Sequence, residues 1–251
     1  MREYLQAHIL AALQDEGAMI PLAFHGGTAL RFLYQLPRFS EDLNFALEKK
    51  GAHYDFGHLM RNVRNCLEKQ GYKPIVKIND SRIVHSAFIT FEELLHEFNL
   101  TGHRQELLSI KVEVDTQPPD GALLDTSVIK QHIPLHLQHH DRSSLFAGKL
   151  HAILQRPFVK GRDLYDLVWY LSDPSWPEPN VTMLNYALGQ TGWSGGEVSL
   201  ATWRHIVLDR INALNLTEAG KDVSPFLENS NAVQLVKKET IVKLLSRGIR
   251  K

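Results

Sequence analysis

The chain has 251 residues, of which 43% are hydrophobic and 22% are charged, a composition that predicts a soluble globular protein with one large or two small cores. Basic and acidic residues both number 28, which excludes a generally basic surface, so nucleic-acid binding would require a local patch. No segment approaches the length of a membrane span, and the single cysteine, Cys66, cannot form an internal disulfide. We therefore expect a cytoplasmic protein with no membrane partner.

The first 140 residues alternate between helical and extended patterns. Polar residues interrupt the apolar pattern of residues 1–19, which favours an amphipathic helix over a signal peptide. A short buried strand over 20–24 leads into a glycine turn, and a helix over 28–36 stops at Pro37. The other predicted elements are a strand over 42–47, a helix over about 55–70, and strands within 72–80, 81–92 and 105–116.

From Asp141 onward the hydrophobic period is helical. Five helical segments begin at Ser143, Gly161, Val181, Glu197 and Asn231. Together the two halves predict an α+β protein, in which residues 1–140 form a mixed sheet with flanking helices and residues 141–251 form a helical bundle. No flexible linker marks the boundary, so we expect the two domains to pack closely.

A glycine pair begins the most informative stretch of the sequence. Gly26 and Gly27 allow the backbone to approach a ligand closely, and Thr28 begins a helix whose free amides and positive dipole end favour a phosphate. A tight strand-to-helix turn with no ligand is the alternative, and it is the preferred interpretation of a glycine pair taken alone.

Two oxygen-bearing side chains follow on the next predicted strand. Asp42 and Asn44 are two positions apart, so their side chains emerge on the same face, about 6–7 Å from each other. Oxygens placed in this way can share the hard cations that accompany nucleotide phosphates, although Asn44 brings no charge. The alternative is a pair of solvated residues on an amphipathic strand.

A second strand adds charge to the candidate site. Lys111, Glu113 and Asp115 alternate with apolar residues and therefore share one face. If this face adjoins the one that carries Asp42, Glu113 is placed to bind a metal and to accept a proton from an attacking hydroxyl. We expect Asp115 to form a turn, and Lys111 has the alternative of a simple ion pair with an acid.

Lys149 occupies a helical position where an apolar side chain is expected. Such a lysine either extends to solvent or faces a cleft filled by phosphate. Arg156, Lys160 and Arg162 follow in a basic loop suited to phosphates or to an RNA backbone. Asp163 and Asp166 then share one helical face, a position that the helix dipole alone also explains.

Four histidines crowd the segment that precedes the helical half. They are His132, His136, His139 and His140, and no cysteine or acid stands at a ligand-like spacing from them. We interpret them as surface residues near a domain junction, with zinc binding as a minority alternative.

Four segments, within about residues 20–172, together resemble the AbiEii/AbiGii toxin family of nucleotidyltransferases, a branch of the DNA polymerase β-like superfamily. They are FHGGTALRFLYQLPRFSEDLNF, IKVEV, LFAGKLHAIL and KGRDLYDLVWYL. The resemblance implies a nucleotidyltransferase fold, a helical domain, and a cleft for a nucleoside triphosphate with Mg²⁺. It also implies transfer of a nucleoside monophosphate to an RNA, with tRNA as the leading acceptor, by a toxin of a toxin–antitoxin or phage-defence system whose antitoxin is encoded nearby.

The resemblance also assigns roles to individual residues. Metal binding falls to Asp42, Asn44 and Glu113, and catalysis to these three together with Lys149, Asp163 and Asp166. Nucleotide binding falls to Gly26, Gly27, Thr28, Arg38, Lys111, Lys149 and Arg162. Because Asn44 stands where the family pattern has aspartate, a catalytically weakened nucleotide- or RNA-binding protein is an alternative, and an interaction module that binds an antitoxin through the helical half is another.

Overall fold

The computed structural model describes residues 1–48, 54–103 and 105–247, so the last four residues of the predicted helical domain lie outside the described part. Contacts divide the chain into two compact units. The sheet unit comprises Met1–Tyr34, Ser40–Pro118 and Leu124–His139, and the helical unit comprises Gln35–Phe39, Pro119–Leu123 and His140–Lys251. The predicted division between residues 140 and 141 into two domains stays a prediction.

The sheet unit is built on a mixed sheet with the strand order β3-β4-β5-β2-β1-β7-β6. Its strands are β1 (Leu22–His25), β2 (Leu43–Leu47), β3 (Pro74–Asn79), β4 (Val84–Phe91), β5 (Leu108–Asp115), β6 (Leu124–Ile129) and β7 (Leu135–His140). Its helices are α1 (Arg2–Asp15), α2 (Gly26–Tyr34), α3 (Phe56–Lys69) and α4 (Leu94–Glu97). The β2–β5 and β1–β7 pairs are parallel, whereas β1–β2, β3–β4 and β4–β5 are antiparallel.

Alternation of apolar and polar residues determines which face of the sheet is buried. Along β5, Ile110 and Val112 are fully buried, whereas Lys111 and Glu113, which alternate with them, are only partly buried. Helix α3 begins where the carboxylate of Asp55 accepts a hydrogen bond of 2.8 Å from the amide of His58, a typical N-cap. The predicted mixed sheet with flanking helices is therefore confirmed.

Strands β6 and β7 were not predicted, and the interpretation of the four histidines as surface residues is wrong for two of them. His139 is 0% exposed and His140 is 3% exposed, because β7 lies inside the sheet between β1 and β6. The ring of His139 lies 2.9 Å from the hydroxyl of Ser127 and packs edge-on against Tyr34. His132 and His136 are exposed, as predicted.

The helical unit contains the helical segments that the sequence predicts. Its helices are α5 (Arg142–Gln155), α6 (Gly161–Ser172), α7 (Val181–Gln190), α8 (Trp203–Ala213), α9 (Ala219–Val223) and α10 (Lys238–Arg247), with 3₁₀ helices at Ser224–Phe226 and Ser230–Val236. Phe146 of α5 stacks on Tyr170 of α6 and meets Trp203 of α8 edge-on, so aromatic packing joins three helices. Helix α9 was not predicted.

The short segment 35–39 packs with the helical unit although it lies far from it in sequence. Arg38 forms an isolated antiparallel bridge with Leu227, and the amide of Phe39 donates a hydrogen bond of 2.7 Å to the carbonyl of Phe226. These backbone bonds fix the position of Arg38, whose side chain belongs to the charged cluster described below.

Candidate functional site

The glycine turn joins β1 to α2 and is closely packed against β2. Gly26 has φ +80°, a conformation that favours glycine, and a Cβ added there would lie 3.3 Å from Nδ2 of Asn44. Thr28 is fully buried and its hydroxyl donates a hydrogen bond of 2.5 Å to the backbone carbonyl of Asp42. Thr28 therefore ties the turn to the start of β2, which leaves the amides at the start of α2 as the groups suited to a phosphate.

Asp42, Asn44 and Glu113 belong to neighbouring strands. Asp42 immediately precedes β2, and Asn44 within β2 is the direct register partner of Glu113 on the parallel strand β5. The face that carries Glu113 therefore adjoins the one that carries Asn44. Nδ2 of Asn44 lies 3.5 Å from the backbone carbonyl of Asp42, so its amide also faces the turn.

Gln6 supports this arrangement and was not singled out from the sequence. It lies in α1 and is 1% exposed, and its Nε2 donates hydrogen bonds of 3.1 and 3.0 Å to the carbonyls of Ser40 and Glu41. These bonds fix the backbone that leads directly into Asp42. A glutamine inside the apolar pattern of the first helix is the signal that points to such a role, because a buried amide needs partners.

Lys111 forms an ion pair with Glu113, which is the alternative role predicted for it from the sequence. Its Nζ lies 2.6 Å from Oε1 of Glu113, and the two side chains are 29% and 27% exposed. Asp115 has the predicted turn role, since its carboxylate accepts a hydrogen bond of 2.9 Å from the amide of Gln117. Lys111 therefore compensates the charge of Glu113 from within the sheet unit.

The donors near the turn suit a hard cation. Asp42 and Glu113 offer carboxylate oxygens, and Asn44 can offer an amide oxygen, which are ligands that Mg²⁺ prefers. Across residues 1–48, 54–103 and 105–247, no group of three or more His, Cys, Asp or Glu side chains is placed to hold a metal ion. The candidate magnesium site therefore rests on two carboxylates and one amide, and the described histidines form no zinc site.

In the helical unit, Lys149 contacts two carboxylates from the next helix. Its Nζ lies 2.7 Å from Oδ2 of Asp166 and 3.1 Å from Oδ1 of Asp163, and its side chain is 12% exposed. Asp163 and Asp166 are three positions apart on α6 and therefore share one face, and their contacts with Lys149 show that this face is directed toward α5. The sequence contains a signal for this pairing. A lysine lies on an apolar helical stripe and therefore needs a partner if it is buried, and two acids follow on one face of the next helix.

Arg38 also contacts Asp166 and completes the cluster. Its Nε and Nη2 donate hydrogen bonds of 2.6 and 2.7 Å to the two carboxylate oxygens, in a bidentate pair that is 2% and 0% exposed. Arg156 also forms an ion pair with Asp163. The charged cluster of Arg38, Lys149, Arg156, Asp163 and Asp166 thus contains three cations and two carboxylates, which leaves one positive charge in excess.

The protonation states of the buried pair follow from its contacts. Burial alone would raise the pKa of Asp166, but Arg38 and Lys149 outweigh burial and hold the pKa below its ordinary value. Burial alone would lower the pKa of Arg38, but the adjacent Asp166 raises it above its ordinary value. Both groups are therefore ionised at neutral pH.

The remaining residues of the basic loop lie near α6. Arg162 places its guanidinium 4.1 Å from the centre of the Phe226 ring, a cation–π contact. Lys160 precedes the first residue of α6 and is exposed. Of the predicted nucleotide-binding residues, Arg38, Lys149 and Arg162 therefore belong to the helical unit, whereas Gly26, Gly27, Thr28 and Lys111 belong to the sheet unit.

A mixed sheet with a glycine turn, an adjacent acid and a second acid on the neighbouring strand is the arrangement that the resemblance to nucleotidyltransferases implies. Residues 8–234 match the family described as nucleotidyl transferase AbiEii toxin, type IV TA system. This chain therefore belongs to the AbiEii nucleotidyltransferase toxin family of type IV toxin–antitoxin systems, which confirms the family inferred from the sequence.

Two solved structures are similar to this chain, and the first of them supports the fold. A crystal structure of a provisionally described nucleotidyltransferase from H. pylori matches with a TM-score of 0.51 and 19% identity, over 98% of this chain and 95% of that chain. The crystal structure of JHP933 from Helicobacter pylori matches with a TM-score of 0.48 and 19% identity, over 98% and 94% of the two chains. At this identity the first likeness shows the fold alone. A search among curated proteins finds no match.

None of the described helices combines the length and the apolar character that crossing a membrane requires.

Proposed function

We propose that this protein is an enzyme that transfers a nucleoside monophosphate from a nucleoside triphosphate to a hydroxyl group of an RNA. We further propose tRNA as the leading acceptor, a toxin role that a nearby-encoded antitoxin restrains, and a cytoplasmic location. The observation that supports the transferase activity best is the strand register that places Asn44 directly opposite Glu113, next to the glycine turn. Membership of the nucleotidyltransferase toxin family makes this the preferred chemistry.

In this proposal the sheet unit carries the reacting groups. The backbone amides at the start of α2 bind a phosphate of the nucleotide, and Asp42, Asn44 and Glu113 would hold magnesium. Bound there, magnesium would neutralise charge on the phosphates and favour ionisation of the attacking hydroxyl. Glu113 accepts the proton of that hydroxyl, whose oxygen bonds to the α-phosphorus while the bond to the leaving pyrophosphate breaks.

The charged cluster of the helical unit supplies positive charge. Lys149 and Arg156 are its partly exposed cations, with side chains 12% and 43% exposed, and we propose that they bind phosphate groups. Asp163 and Asp166 contact these cations directly. We therefore propose that the two aspartates position Lys149 and Arg156, and that Arg38 acts through Asp166, since its own guanidinium is buried in that pair.

Labelled-nucleotide transfer tests the proposal. The purified protein is incubated with total tRNA, magnesium and each α-labelled nucleoside triphosphate in turn, and parallel reactions contain EDTA. We expect label on the RNA from at least one nucleotide, and loss of this label in EDTA and in the Asp42→Asn variant. Asp115→Asn is the matched control, because Asp115 caps Gln117 at the end of β5 and asparagine keeps an acceptor there. Absence of label with every nucleotide would contradict the proposal.

A second candidate function is nucleotide or RNA binding with weakened turnover. The supporting observation is that the amide of Asn44 faces Gly26 and the carbonyl of Asp42, so it serves the turn and contributes no charge to a metal. This candidate predicts magnesium-dependent nucleotide binding without product in the native chain, and measurable product in the Asn44→Asp variant. If the native chain transfers label and Asn44→Asp transfers no more, the amide is not limiting.

A further inference from the structure

One face of the sheet remains accessible beside the candidate acids. We call it the open face, and it is formed by alternate residues of three adjacent strands: Ile75, Lys77 and Asn79 of β3, Ser86, Phe88 and Thr90 of β4, and Ser109, Lys111 and Glu113 of β5. The residues between them on β4 and β5, such as Ala87, Ile89 and Val112, are fully buried on the opposite side. The open face therefore extends the strand surface that carries Glu113 toward the β3 edge of the sheet.

Phe88 lies at the centre of the open face between two lysines. It is the register partner of Lys77 on β3 and of Lys111 on β5, and it is 46% exposed. Nζ of Lys111 lies 5.4 Å from the centre of the Phe88 ring. A single exposed phenylalanine is ordinary on a protein surface, but a ring held between two cations on an open sheet combines a stacking surface with phosphate partners.

The open face is continuous with the candidate catalytic residues. Ser86 pairs directly with Glu113, so Phe88 and Glu113 are diagonal neighbours, with Cα atoms about 7–8 Å apart. A recess of about 680 Å³ lies on this part of the sheet, and its lining includes Asn79, Arg82, Ser86, Lys111 and Glu113. This volume falls within the range of small-molecule sites and suits a nucleotide-sized group next to Glu113.

The acids of the open face lie at one end of it, and two of its cations lie across its centre. The acids Glu113 and Asp115 lie at the end of β5, where Glu113 pairs with Lys111 and Asp115 caps Gln117. Asp80 lies in the β3–β4 hairpin, where burial and, to a lesser extent, the charge of Asp80 raise the pKa of the partly buried Tyr54. The ring of Tyr54 stacks on His85 of the covered side. The row through Phe88 carries only the cations Lys77 and Lys111, and Arg82 adds a third at the hairpin.

We propose that the open face binds the single-stranded end of the acceptor RNA, with one base stacked on Phe88 and backbone phosphates on Lys77 and Arg82. The inference rests on the proposed function and adds the surface that presents the acceptor hydroxyl to Glu113. Unpaired bases stack on aromatic side chains of open sheets, and cations next to the ring bind the phosphates.

Fluorescence anisotropy with a fluorescein-labelled single-stranded RNA of twelve nucleotides measures this binding on the full chain. Removal of one base-stacking interaction costs about 1–3 kcal/mol, so we expect Phe88→Ala to weaken binding about 5- to 150-fold. Phe88→Trp should retain the affinity, whereas Phe88→Leu, which keeps an apolar side chain, should lose it. The matched control is Phe98→Ala, since Phe98 is 54% exposed in the same unit and lies outside the open face.

Salt dependence tests the phosphate contacts separately. A plot of log affinity against log salt has a negative slope. Removal of one cation that binds a phosphate of a single strand reduces the magnitude of this slope by about 0.7, and we expect this change for Lys77→Ala. Lys69→Ala is the matched control, because Lys69 is exposed on α3 rather than on the open face. An equal affinity for a twelve-base-pair duplex RNA would overturn the inference, because paired bases cannot stack on Phe88.

The outcomes separate this inference from the proposed function. If the native chain transfers label to RNA but Phe88→Leu and Lys77→Ala bind the single strand as the native chain does, the open face is not the acceptor surface and the transferase proposal stands. If these variants lose RNA affinity while no nucleotide is ever transferred, the open face binds RNA and the transferase proposal fails. Unchanged RNA affinity in all variants overturns the inference. This result is also the one expected if the open face binds a protein.

Discussion

The two charged sites of this chain differ in how their charges are balanced. In the helical unit, Asp166 is fully buried and bonded to both Arg38 and Lys149, so its charge is neutralised within the fold. In the sheet unit, Glu113 is 27% exposed and forms its ion pair with Lys111, which is itself partly exposed. The first arrangement fixes a structure, whereas the second leaves a carboxylate able to exchange partners. Substitutions in the two sites should therefore affect different properties.

The largest expected effect follows removal of Asp166. Asp166→Ala leaves the buried guanidinium of Arg38 and the ammonium of Lys149 without their shared partner. Breaking a buried pair in this way costs about 3–5 kcal/mol of unfolding free energy, which urea denaturation measures. The control is Asp209→Ala on the exposed part of α8, which should cost no more than about 0.5 kcal/mol. A loss below about 1 kcal/mol for Asp166→Ala would show that the cluster does not hold the helical unit together.

Glu113→Gln should strongly lower the transfer rate and barely change the stability, in contrast to Asp166→Ala, which should mainly lower the stability. Loss of the proposed base lowers the transfer rate about 100-fold or more, which corresponds to about 2.7 kcal/mol in the activation barrier. The unfolding free energy should change by no more than about 1 kcal/mol, because the pair with Lys111 is partly exposed and such pairs contribute little. Rate and stability are measured on the same preparations, with Asp115→Asn as control. A destabilisation as large as that of Asp166→Ala would remove the contrast between the two sites.

The sequence was sufficient to predict the elements around the glycine turn and the shared face of Lys111 and Glu113, because alternation and turn residues are local signals. It did not show that Asn44 pairs with Glu113, since strand register depends on residues that are distant in the chain. Strand β7 escaped prediction because its histidines suggested a polar surface, although the buried His139 finds a partly buried partner in Ser127. A buried histidine with a partner has the same sequence pattern as an exposed one.

The contact between Asp166 and Arg38 could not be predicted from the sequence either. The sequence shows that Lys149 needs an acid and that Asp163 and Asp166 share a helical face, but it does not place Arg38 next to them. Arg38 lies in the segment after α2 and was assigned to nucleotide binding by resemblance, and the structure buries its guanidinium against Asp166. Only tertiary packing of segment 35–39 with the helical unit brings the two residues together.

Acid titration provides a smaller test of the buried cluster. The pKa of Asp166 in the folded chain lies below its ordinary value of 3.8, so its stabilising contribution is present above that value and is lost as the pH falls through the lower folded value. One such group changes the unfolding free energy by at most about 1.4 kcal/mol per pH unit. Between pH 5 and 2, roughly the range in which carboxylates titrate, Asp166→Asn should therefore lose stability with a shallower slope than the native chain. Equal slopes would contradict the assigned pairing.

The smallest expected effect concerns the bond that joins the glycine turn to β2. Thr28→Val removes the hydroxyl that donates to the carbonyl of Asp42 and keeps the shape of the buried side chain. A hydrogen bond of this kind contributes about 1 kcal/mol, so the unfolding free energy should fall by about that amount. Thr28→Ser keeps the hydroxyl and loses the buried methyl group, at a comparable cost of about 1 kcal/mol. Because the same bond fixes the backbone of Asp42 next to the turn, Thr28→Val should also slow nucleotide transfer. Loss of stability with an unchanged transfer rate would mean that the turn packs against β2 without positioning Asp42.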